Sequence, residues 1–410
     1  MHPTAGAAQD LVREEMVRIA PRMHALAREM HRQPELGCRE VHAVTLLTGN
    51  LEEEGFHVET GIAGLPTAFR AERGRGGGPT VAILAEYDAL PGLGHACGHN
   101  LIGAVACGAA VALARALDVV PGRVLVFGAP AEETIGGKVV LAARGAFEGV
   151  DAALLAHPGS EDRSRVCSLA SWSMEVTFEG RSAHAVAAPE EGVNALDAMI
   201  QLFVARDALL KALRPEVRIP GVILDGGRRA NVIPDHARAR FSLRAADTGY
   251  LAGVVLERFR GMVEGVARAT GTRAKLAPID NLYDEMLNNP VLAELYDRRM
   301  GAEGLELPRE AGRPIGSLDM GTLSHMVPAL HPIFRITERP LSTHTPEFTE
   351  ASLHPRALDA AVRAARTLAL VALDLVADPA ALARARAAHA EQTAGWQRVE
   401  AAVITEQAEP

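Results

Sequence analysis

Apolar and polar positions divide the first part of the chain into helices and short buried strands. Apolar residues recur at helical spacing over Gln9–Met30, and a second helix is predicted over Arg39–Glu54. Strands and helices then alternate, with strands at Thr67–Glu72, Thr80–Glu86, Arg123–Pro130 and Asp151–Ala156 and helices at Leu101–Leu117 and Lys138–Ala146. This alternation predicts an α/β fold with a mostly parallel sheet flanked by helices.

The pattern changes near residue 170, where the predicted strands alternate between apolar and polar residues. Strands are predicted at Ser171–Phe178, Val217–Leu224, Asn231–Ala245 and Lys275–Ile279, and helices at Asn194–Leu213 and Leu251–Ala269. This β-α-β-β-α-β order predicts an inserted α+β domain of the ferredoxin-like type over residues 170–280. Residues 1–169 and 281–410 then form the other domain, which ends in helices at about Leu353–Val376 and Pro379–Ala402.

Composition narrows the classes of protein that this chain can belong to. The 410 residues carry a net charge of −9 and no basic run, which argues against a nucleic-acid partner. No stretch reaches the roughly 18 apolar residues of a membrane span, and the N-terminus lacks an export signal pattern. The four cysteines, Cys38, Cys97, Cys107 and Cys167, have no paired spacing. We therefore expect free thiols and a cytoplasmic location, without a membrane partner.

Polar side chains follow the predicted strands of the first domain at their carboxyl ends. Asp88 follows one strand, Glu132 and Glu133 follow another, and His157 follows a third. Open α/β sheets bind their ligands at this edge. The segment VAILAEYDALPGLGHACGHN adds Cys97 and His99 directly after the first of these strand ends.

Carboxylate, thiolate and imidazole groups in this arrangement predict a transition-metal site. The candidate ligands are Cys97, His99, Glu133, His157 and, much later in the chain, His344. This donor set suits Zn²⁺ or Mn²⁺, with Co²⁺ and Ni²⁺ also acceptable, as one or two ions. A catalytic ion brings a bound water to a pKa of about 7.

Two carboxylates beside the ligands have predicted roles of their own. Glu132 is placed to act as the general base for that water, and Asp88 to orient a metal ligand. Neighbouring residues of a regular strand point in opposite directions, so Glu132 and Glu133 share a site only if the backbone is irregular there. The sequence AEETIGG permits such a turn.

Simpler interpretations of these residues stay open at this point. The Cys97–His99 cluster is also consistent with a structural zinc or a buried Cys/His pair, and Glu132-Glu133 with carboxylates at a helix start. Asp319 is either a turn former or a site residue. His325 and His331 are interpreted as structural, and Cys38, Cys107 and Cys167 as small buried hydrophobes.

Several segments together resemble the metal-dependent amidohydrolases of the aminoacylase/carboxypeptidase family (zinc exopeptidase type). They are HRQPELGCRE, AEYDALPGLGHACGHN, GAPAEETIGGK, AHPG, GRSAHAVAAPEEGVNALDA, NVIPD and HTPEF. The resemblance is to the branch with auxin-conjugate and aminobenzoyl-glutamate hydrolases, and most closely to its β-alanyl-lysine-type dipeptidase subgroup. It implies a zinc-exopeptidase-like catalytic domain that carries a lid and dimerisation domain, and hence a homodimer or larger homo-oligomer.

The resemblance also implies residue roles. It supports metal ligation by the candidate ligands above and acid-base catalysis by Glu132. His184 matches a histidine that reaches the partner subunit's active site and steadies the oxyanion. Asn231 and Arg244 match positions that hold the substrate, although His184 alone also fits a loop residue and Arg244 an ion pair within the sheet. Two differences stand out: Asn100 replaces a usual aspartate, and Glu86-Tyr87 replaces the more usual Asp-Met.

The implied function is metal-dependent hydrolysis of an amide bond in a small N-acyl amino acid or dipeptide-like substrate. A metal-dependent deaminase or aromatic amidohydrolase uses the same activated water and remains an alternative. A catalytically silent binding protein is a further alternative, which predicts a missing ligand or base. None is missing from the matched segments.

Overall fold

A computed structural model describes residues 3–406 of the chain, with side chains from residue 6. The chain divides into two compact units. The first comprises the chain up to Cys167 together with Met286–Trp396, and the second comprises Ser168–Glu285 together with the chain from Gln397 onward.

The helices and strands are numbered in chain order. The α-helices are α1 (Pro3–Arg32), α2 (Val41–Glu53), α3 (His99–Ala116), α4 (Gly137–Ala143), α5 (Ala195–Leu210), α6 (Thr248–Tyr250), α7 (Glu257–Thr270), α8 (Pro290–Gly301), α9 (Met320–Ser324), α10 (Pro346–Ala351), α11 (Pro355–Ala377) and α12 (Pro379–Gln392). The strands are β1 (His57–Thr60), β2 (Phe69–Arg75), β3 (Thr80–Ala85), β4 (Gly122–Gly128), β5 (Ala152–Leu154), β6 (His157–Gly159), β7 (Ala170–Glu179), β8 (Gly221–Asp225), β9 (His236–Ala245), β10 (Arg273–Pro278), β11 (Ala329–Leu330) and β12 (Ile333–Arg335).

The sheet of the first unit has the strand order β1-β2-β4-β3-β5-β11. Strands β4, β3, β5 and β11 run parallel, whereas β1 and β2 pair antiparallel at one edge. Every residue of β3 is buried, as expected for a strand covered on both faces. The predicted α/β class is confirmed, but β1 was not predicted, because its residues HVET are polar and mostly exposed.

Helix α3 carries small residues because other helices approach it closely. A Cβ atom at Gly108 would lie 2.2 Å from the sulfur of Met23 in α1, so only glycine fits this contact. By length and composition α3 is also apolar enough to cross a membrane, but 94% of the helix is buried inside the protein.

Asn100, in the first turn of α3, is buried and donates to the carbonyl of Ala27 in α1 at 3.2 Å. The difference at Asn100 therefore serves the packing of α3 on α1.

The second unit is a four-stranded antiparallel sheet in the order β10-β7-β9-β8. Helix α5 connects β7 to β8, and a continuous helical segment connects β9 to β10. That segment runs from α6 through a π-helical turn at Leu251–Leu256 into α7. Its apolar core is separate from that of the first unit. The predicted β-α-β-β-α-β order of a ferredoxin-like domain is confirmed.

Two predicted elements extend furthest beyond the observed ones. The strand predicted over Asn231–Ala245 begins at His236, and the helix predicted over Pro379–Ala402 ends at Gln392. Gly395 has a φ of +81°, a left-handed conformation that no helix continues through. Beyond it the chain joins the second unit, where the side chain of Asn281 pairs with the backbone of Ile404 through hydrogen bonds of 2.8 and 2.9 Å.

Candidate metal centre

Strand β3 delivers three polar residues, Glu86, Tyr87 and Asp88, to the carboxyl edge of the first sheet. All three are buried. The Tyr87 hydroxyl donates to the carbonyl of Thr67 at 2.6 Å, so this side chain stabilises the strand end. Glu86 and Asp88 both approach the ring of His99, which is the first residue of α3.

Asp88 fixes the orientation of His99. Its Oδ1 accepts from Nδ1 of His99 at 2.9 Å, and its Oδ2 accepts from the backbone N–H of Glu133 at 3.0 Å. With Nδ1 engaged, Nε2 of His99 faces away from Asp88 and makes no hydrogen bond to a described residue. A metal-binding histidine ordinarily has this arrangement, in which a carboxylate holds the second ring nitrogen.

His157 is held in the same way by the backbone. Its Nδ1 lies 2.7 Å from the carbonyl of Pro158, and because a carbonyl only accepts, Nδ1 carries the proton. Nε2 then carries the lone pair, and this atom lies 3.5 Å from the sulfur of Cys97. Burial lowers the pKa of His157, which keeps the ring neutral as metal binding requires.

The carboxylate pair lies on a turn with an unusual backbone. Ala131 has a φ of +58°, and a Cβ atom at Gly37 would lie 3.0 Å from Ala131, so these two segments touch. The buried carboxylate of Glu40 accepts from the N–H of Ala131 at 2.8 Å and from the hydroxyl of Thr67 at 2.7 Å. Burial and the neighbouring Asp88 raise the pKa of Glu40 to about 7. The HRQPELGCRE segment thus supports the irregular turn before Glu132.

The structure brings the predicted ligands into three overlapping groups. Within each group the ligand atoms lie within 4.8 Å of one another, and the groups are Cys97/His99/His157, Cys97/Glu133/His344 and His99/Glu132/Glu133. His344 approaches from another segment, with Nε2 3.2 Å from Oε1 of Glu133 and a φ of +63°. Its N–H donates to the carbonyl of Ala96 at 2.9 Å, which holds the segment beside the HACGH turn.

A fully buried charge cluster beside these groups was not predicted from the sequence. The ammonium of Lys138 contacts Oε1 of Glu86 and Oδ1 of Asp319, each at 2.6 Å. Asp319 also accepts from the backbone N–H of Lys138 at 3.0 Å. A lone lysine in the apolar segment GKVVLAA was the available signal, because a buried lysine needs an ionic partner.

His331 was interpreted as structural, and the structure places it against a candidate ligand. Its ring stacks on that of His157, with centroids 5.6 Å apart. Burial and the neighbouring His157 lower its pKa to about 3, so the ring is neutral. Neither ring nitrogen has a hydrogen-bond partner among the described residues.

The three remaining candidates lie in the second unit. His184 is exposed, and its Nδ1 accepts from the N–H groups of Val186 and Ala187 at 3.3 and 3.1 Å. The backbone of Asn231 neighbours it, since its carbonyl accepts from the N–H of Ala185 at 3.1 Å. Arg244 lies instead on β9, where its Nε donates to Ser242 at 3.1 Å. The roles of these residues, like those of the candidate ligands, stay predictions.

The fold and the donor set define a class of protein: an α/β domain with a candidate metal site and an inserted α+β domain. Comparison with known proteins agrees. Residues 170–270 match the family model described as "Peptidase dimerisation domain". The chain is 36% identical to the mouse protein named Xaa-Arg dipeptidase, over 90% of this chain and 89% of that protein.

Other relatives carry related names. Over 60% of this chain and 55% of the relative, the chain is 32% identical to one of the subunits of the p-aminobenzoyl-glutamate hydrolase of Escherichia coli. The fold is that of a Bacillus subtilis structure described as a dinuclear metal-binding peptidase of the M20 family. The TM-score is 0.63 at 24% identity, covering 87% of this chain and 99% of that one. This chain therefore belongs to the M20 family of metal-dependent peptidases and amidohydrolases, and it is a hydrolase of amide bonds.

Proposed function

We propose that this protein is a metal-dependent dipeptidase that acts on small dipeptides, in the manner of the relative named Xaa-Arg dipeptidase. The observation that supports this most is the convergence of Cys97, His99, Glu133, His157 and His344 on one edge of the sheet beside Glu132. N-acyl amino acids are the second candidate class, because a further relative is named N-acetyl-L-cysteine deacetylase.

The residues present fit a divalent ion. Nε2 of His99 is a buried nitrogen without a hydrogen-bond partner among the described residues, so it is available as a metal ligand. Nε2 of His157 belongs to a neutral ring and lies beside the sulfur of Cys97. Nitrogen, sulfur and carboxylate donors together suit Zn²⁺ or Mn²⁺, and the sharing of Cys97 between two groups accommodates two ions. When bound, the metal supplies Lewis acidity that activates water and polarises the substrate carbonyl.

The chain's own residues then carry the proton transfers. Glu132 accepts a proton from the attacking water and delivers it to the nitrogen of the leaving amine. Burial raises the pKa of Glu132, and the neighbouring carboxylates Glu86 and Asp319 raise it further, which favours its holding that proton. Asp88 keeps His99 oriented throughout, and Glu40 keeps the backbone before Glu132 in place.

We propose that His184, Asn231 and Arg244 complete the site. His184 would donate to the developing oxyanion, with Asn231 and Arg244 binding the substrate's carboxylate or acyl end. The inserted domain would act as lid and dimerisation surface.

Two exposed apolar features of the second unit support a homodimer. Strand β8 lies at the edge of its sheet, and its Val222, Ile223 and Leu224 are 55%, 40% and 40% exposed. Helix α5 exposes Ile200 and Val204, one helical turn apart. An exposed apolar edge strand is a template for pairing with a second copy.

The direct test is a turnover screen of metal-free protein reconstituted with Zn²⁺ or Mn²⁺. The substrates are dipeptides with C-terminal arginine, lysine or a neutral residue, N-acetyl amino acids and p-aminobenzoyl-glutamate. We expect dipeptide hydrolysis that a chelator removes and added metal restores. Turnover of N-acyl substrates alone would favour the second candidate class, and ammonia release from an amine substrate would favour a deaminase.

A mixing experiment tests whether His184 acts across the dimer. The variants His184→Ala and Glu132→Gln should each be nearly inactive, with His184→Ala losing on the order of 10²- to 10³-fold. Mixed after subunit exchange, they should recover up to about a quarter of wild-type activity, because half of the dimers are mixed and each has one intact site. No recovery in exchanged dimers would place His184 in its own subunit's site.

A further inference from the structure

In the buried cluster of Glu86, Lys138 and Asp319, one carboxylate oxygen of Glu86 has no hydrogen-bond partner among the described residues. Oε1 of Glu86 contacts Lys138 at 2.6 Å, but Oε2 has no hydrogen-bond partner among the described residues, and the side chain is 1% exposed. A buried carboxylate oxygen without a partner is costly, since nothing replaces its hydration. The cluster also contains two carboxylates and one ammonium, so it has an excess negative charge away from water.

The unpartnered oxygen faces an unpartnered nitrogen. Oε2 of Glu86 lies 3.5 Å from Nε2 of His99, which also makes no hydrogen bond to a described residue. Because Nδ1 of His99 donates to Asp88, Nε2 presents a lone pair when the ring is neutral, which is the form that binds a metal. Two lone pairs that face each other in a buried space repel, and a cation bound to both removes this repulsion.

The separation of these two atoms suits a shared metal ion. Two ligands of a tetrahedral zinc with bonds of about 2.1 Å lie roughly 3.4 Å apart. The other candidate ligand pairs have similar separations, with 3.5 Å between Cys97 and His157 and 3.2 Å between Glu133 and His344.

We propose that Glu86 is a further metal ligand in this chain, whose Oε2 binds the same divalent ion as Nε2 of His99. Lys138 and Asp319 are positioning residues: they hold Oε1 of Glu86, so that Oε2 points to the ion. The proposal rests on the metal site of the proposed function. The difference noted at Glu86, a glutamate where aspartate is more usual, keeps a carboxylate at this position and extends it by one methylene group.

The electrostatics agree with this role. Burial alone would raise the pKa of Glu86, but the attraction of the Lys138 ammonium outweighs burial and lowers the pKa to about 2. Glu86 is thus ionised and able to bind a cation. The competing explanation is a proton on His99, shared between Asp88 and Glu86 in the metal-free protein.

Metal titration of Glu86→Gln separates the two explanations, because they predict opposite signs. Metal-free protein is titrated calorimetrically with Zn²⁺ and with Mn²⁺, and bound metal is counted after dialysis. If Glu86 is a ligand, the affinity for one ion should fall by more than the roughly 10- to 100-fold that loss of an outer partner costs. If Glu86 only stabilises protonated His99, the variant should bind metal equally well or more tightly, which would overturn the proposal.

Two further comparisons complete the test. The control Asp151→Asn removes a carboxylate that accepts from the N–H of Thr80, at the opposite end of β3, and should leave metal affinity unchanged. The Co²⁺-substituted Glu86→Gln protein should show altered d–d absorption, and an unaltered spectrum would contradict ligation. If Glu86→Gln does not fold, Glu86→Asp keeps the charge but withdraws the oxygen, and unweakened binding by this folded variant would refute the proposal.

The outcomes also distinguish this proposal from the proposed function. If the wild-type protein binds no divalent metal, both fail. If wild type binds metal and hydrolyses dipeptides while Glu86→Gln binds metal equally well, only the ligand role of Glu86 fails.

Discussion

Replacing Glu132 with glutamine is expected to lower kcat by on the order of 10²- to 10⁴-fold while the protein still folds and binds metal. Glutamine has nearly the same shape as glutamate but cannot accept a proton from the attacking water. The carboxylate belongs to the group of His99, Glu132 and Glu133, so it lies within reach of the site in which the water would be activated. The measurement is steady-state turnover of the best dipeptide substrate, together with bound metal.

The contrast between kcat and KM makes this test specific. A proton carrier should affect kcat, whereas a residue that mainly binds substrate should affect KM. Exposed Glu59, on β1, provides a control, because Glu59→Gln removes the same charge at an edge strand and should leave turnover unchanged. Near wild-type turnover by Glu132→Gln, with full metal content, would refute the assignment of Glu132 as the base.

Replacing Cys97 with alanine is expected to remove metal from the whole site, and activity with it. Cys97 belongs to two of the three ligand groups, one with His99 and His157 and one with Glu133 and His344. Burial raises the pKa of its thiol, so the metal-free protein holds a proton that metal binding must release. The metal content of purified protein and the proton release on titration are the measurements.

His344→Ala is the matched comparison for Cys97→Ala. His344 belongs to one ligand group and its side chain is half exposed, so its loss should weaken one ion and leave the other bound. We therefore expect about one ion per subunit in His344→Ala and close to none in Cys97→Ala. Equal metal content in the two variants would show that Cys97 is not shared between the groups.

Local patterns indicated the residue types of the candidate site, because each candidate ligand follows a recognisable strand or turn. The apolar run before Asp88 and the turn around His99 can be recognised from the sequence alone. The irregular backbone required for Glu132 and Glu133 to share a site was also expected, and it lies at Ala131. The supporting contact from Glu40 was not expected, since it joins segments 91 positions apart.

The elements that were not predicted lack a local signal. Strand β1 is polar and mostly exposed, and it pairs antiparallel with β2 at the edge of the sheet. Lys138 and Asp319 are separated by 181 positions, so neither segment contains a local sequence signal that predicts their pairing. His331 has an apolar neighbourhood in the sequence, and only the fold stacks it on His157.

The sequence by itself determined the α/β class, the inserted domain, the family and the types of donor available to a metal. These follow from periodicity and from short segments, which depend on neighbouring residues. Only the tertiary structure decided which atoms face one another: Asp88 on Nδ1 of His99, and Glu86 on Nε2. Such contacts arise from how distant segments pack in a buried space, where an unpaired charge is costly and each polar atom therefore requires a partner.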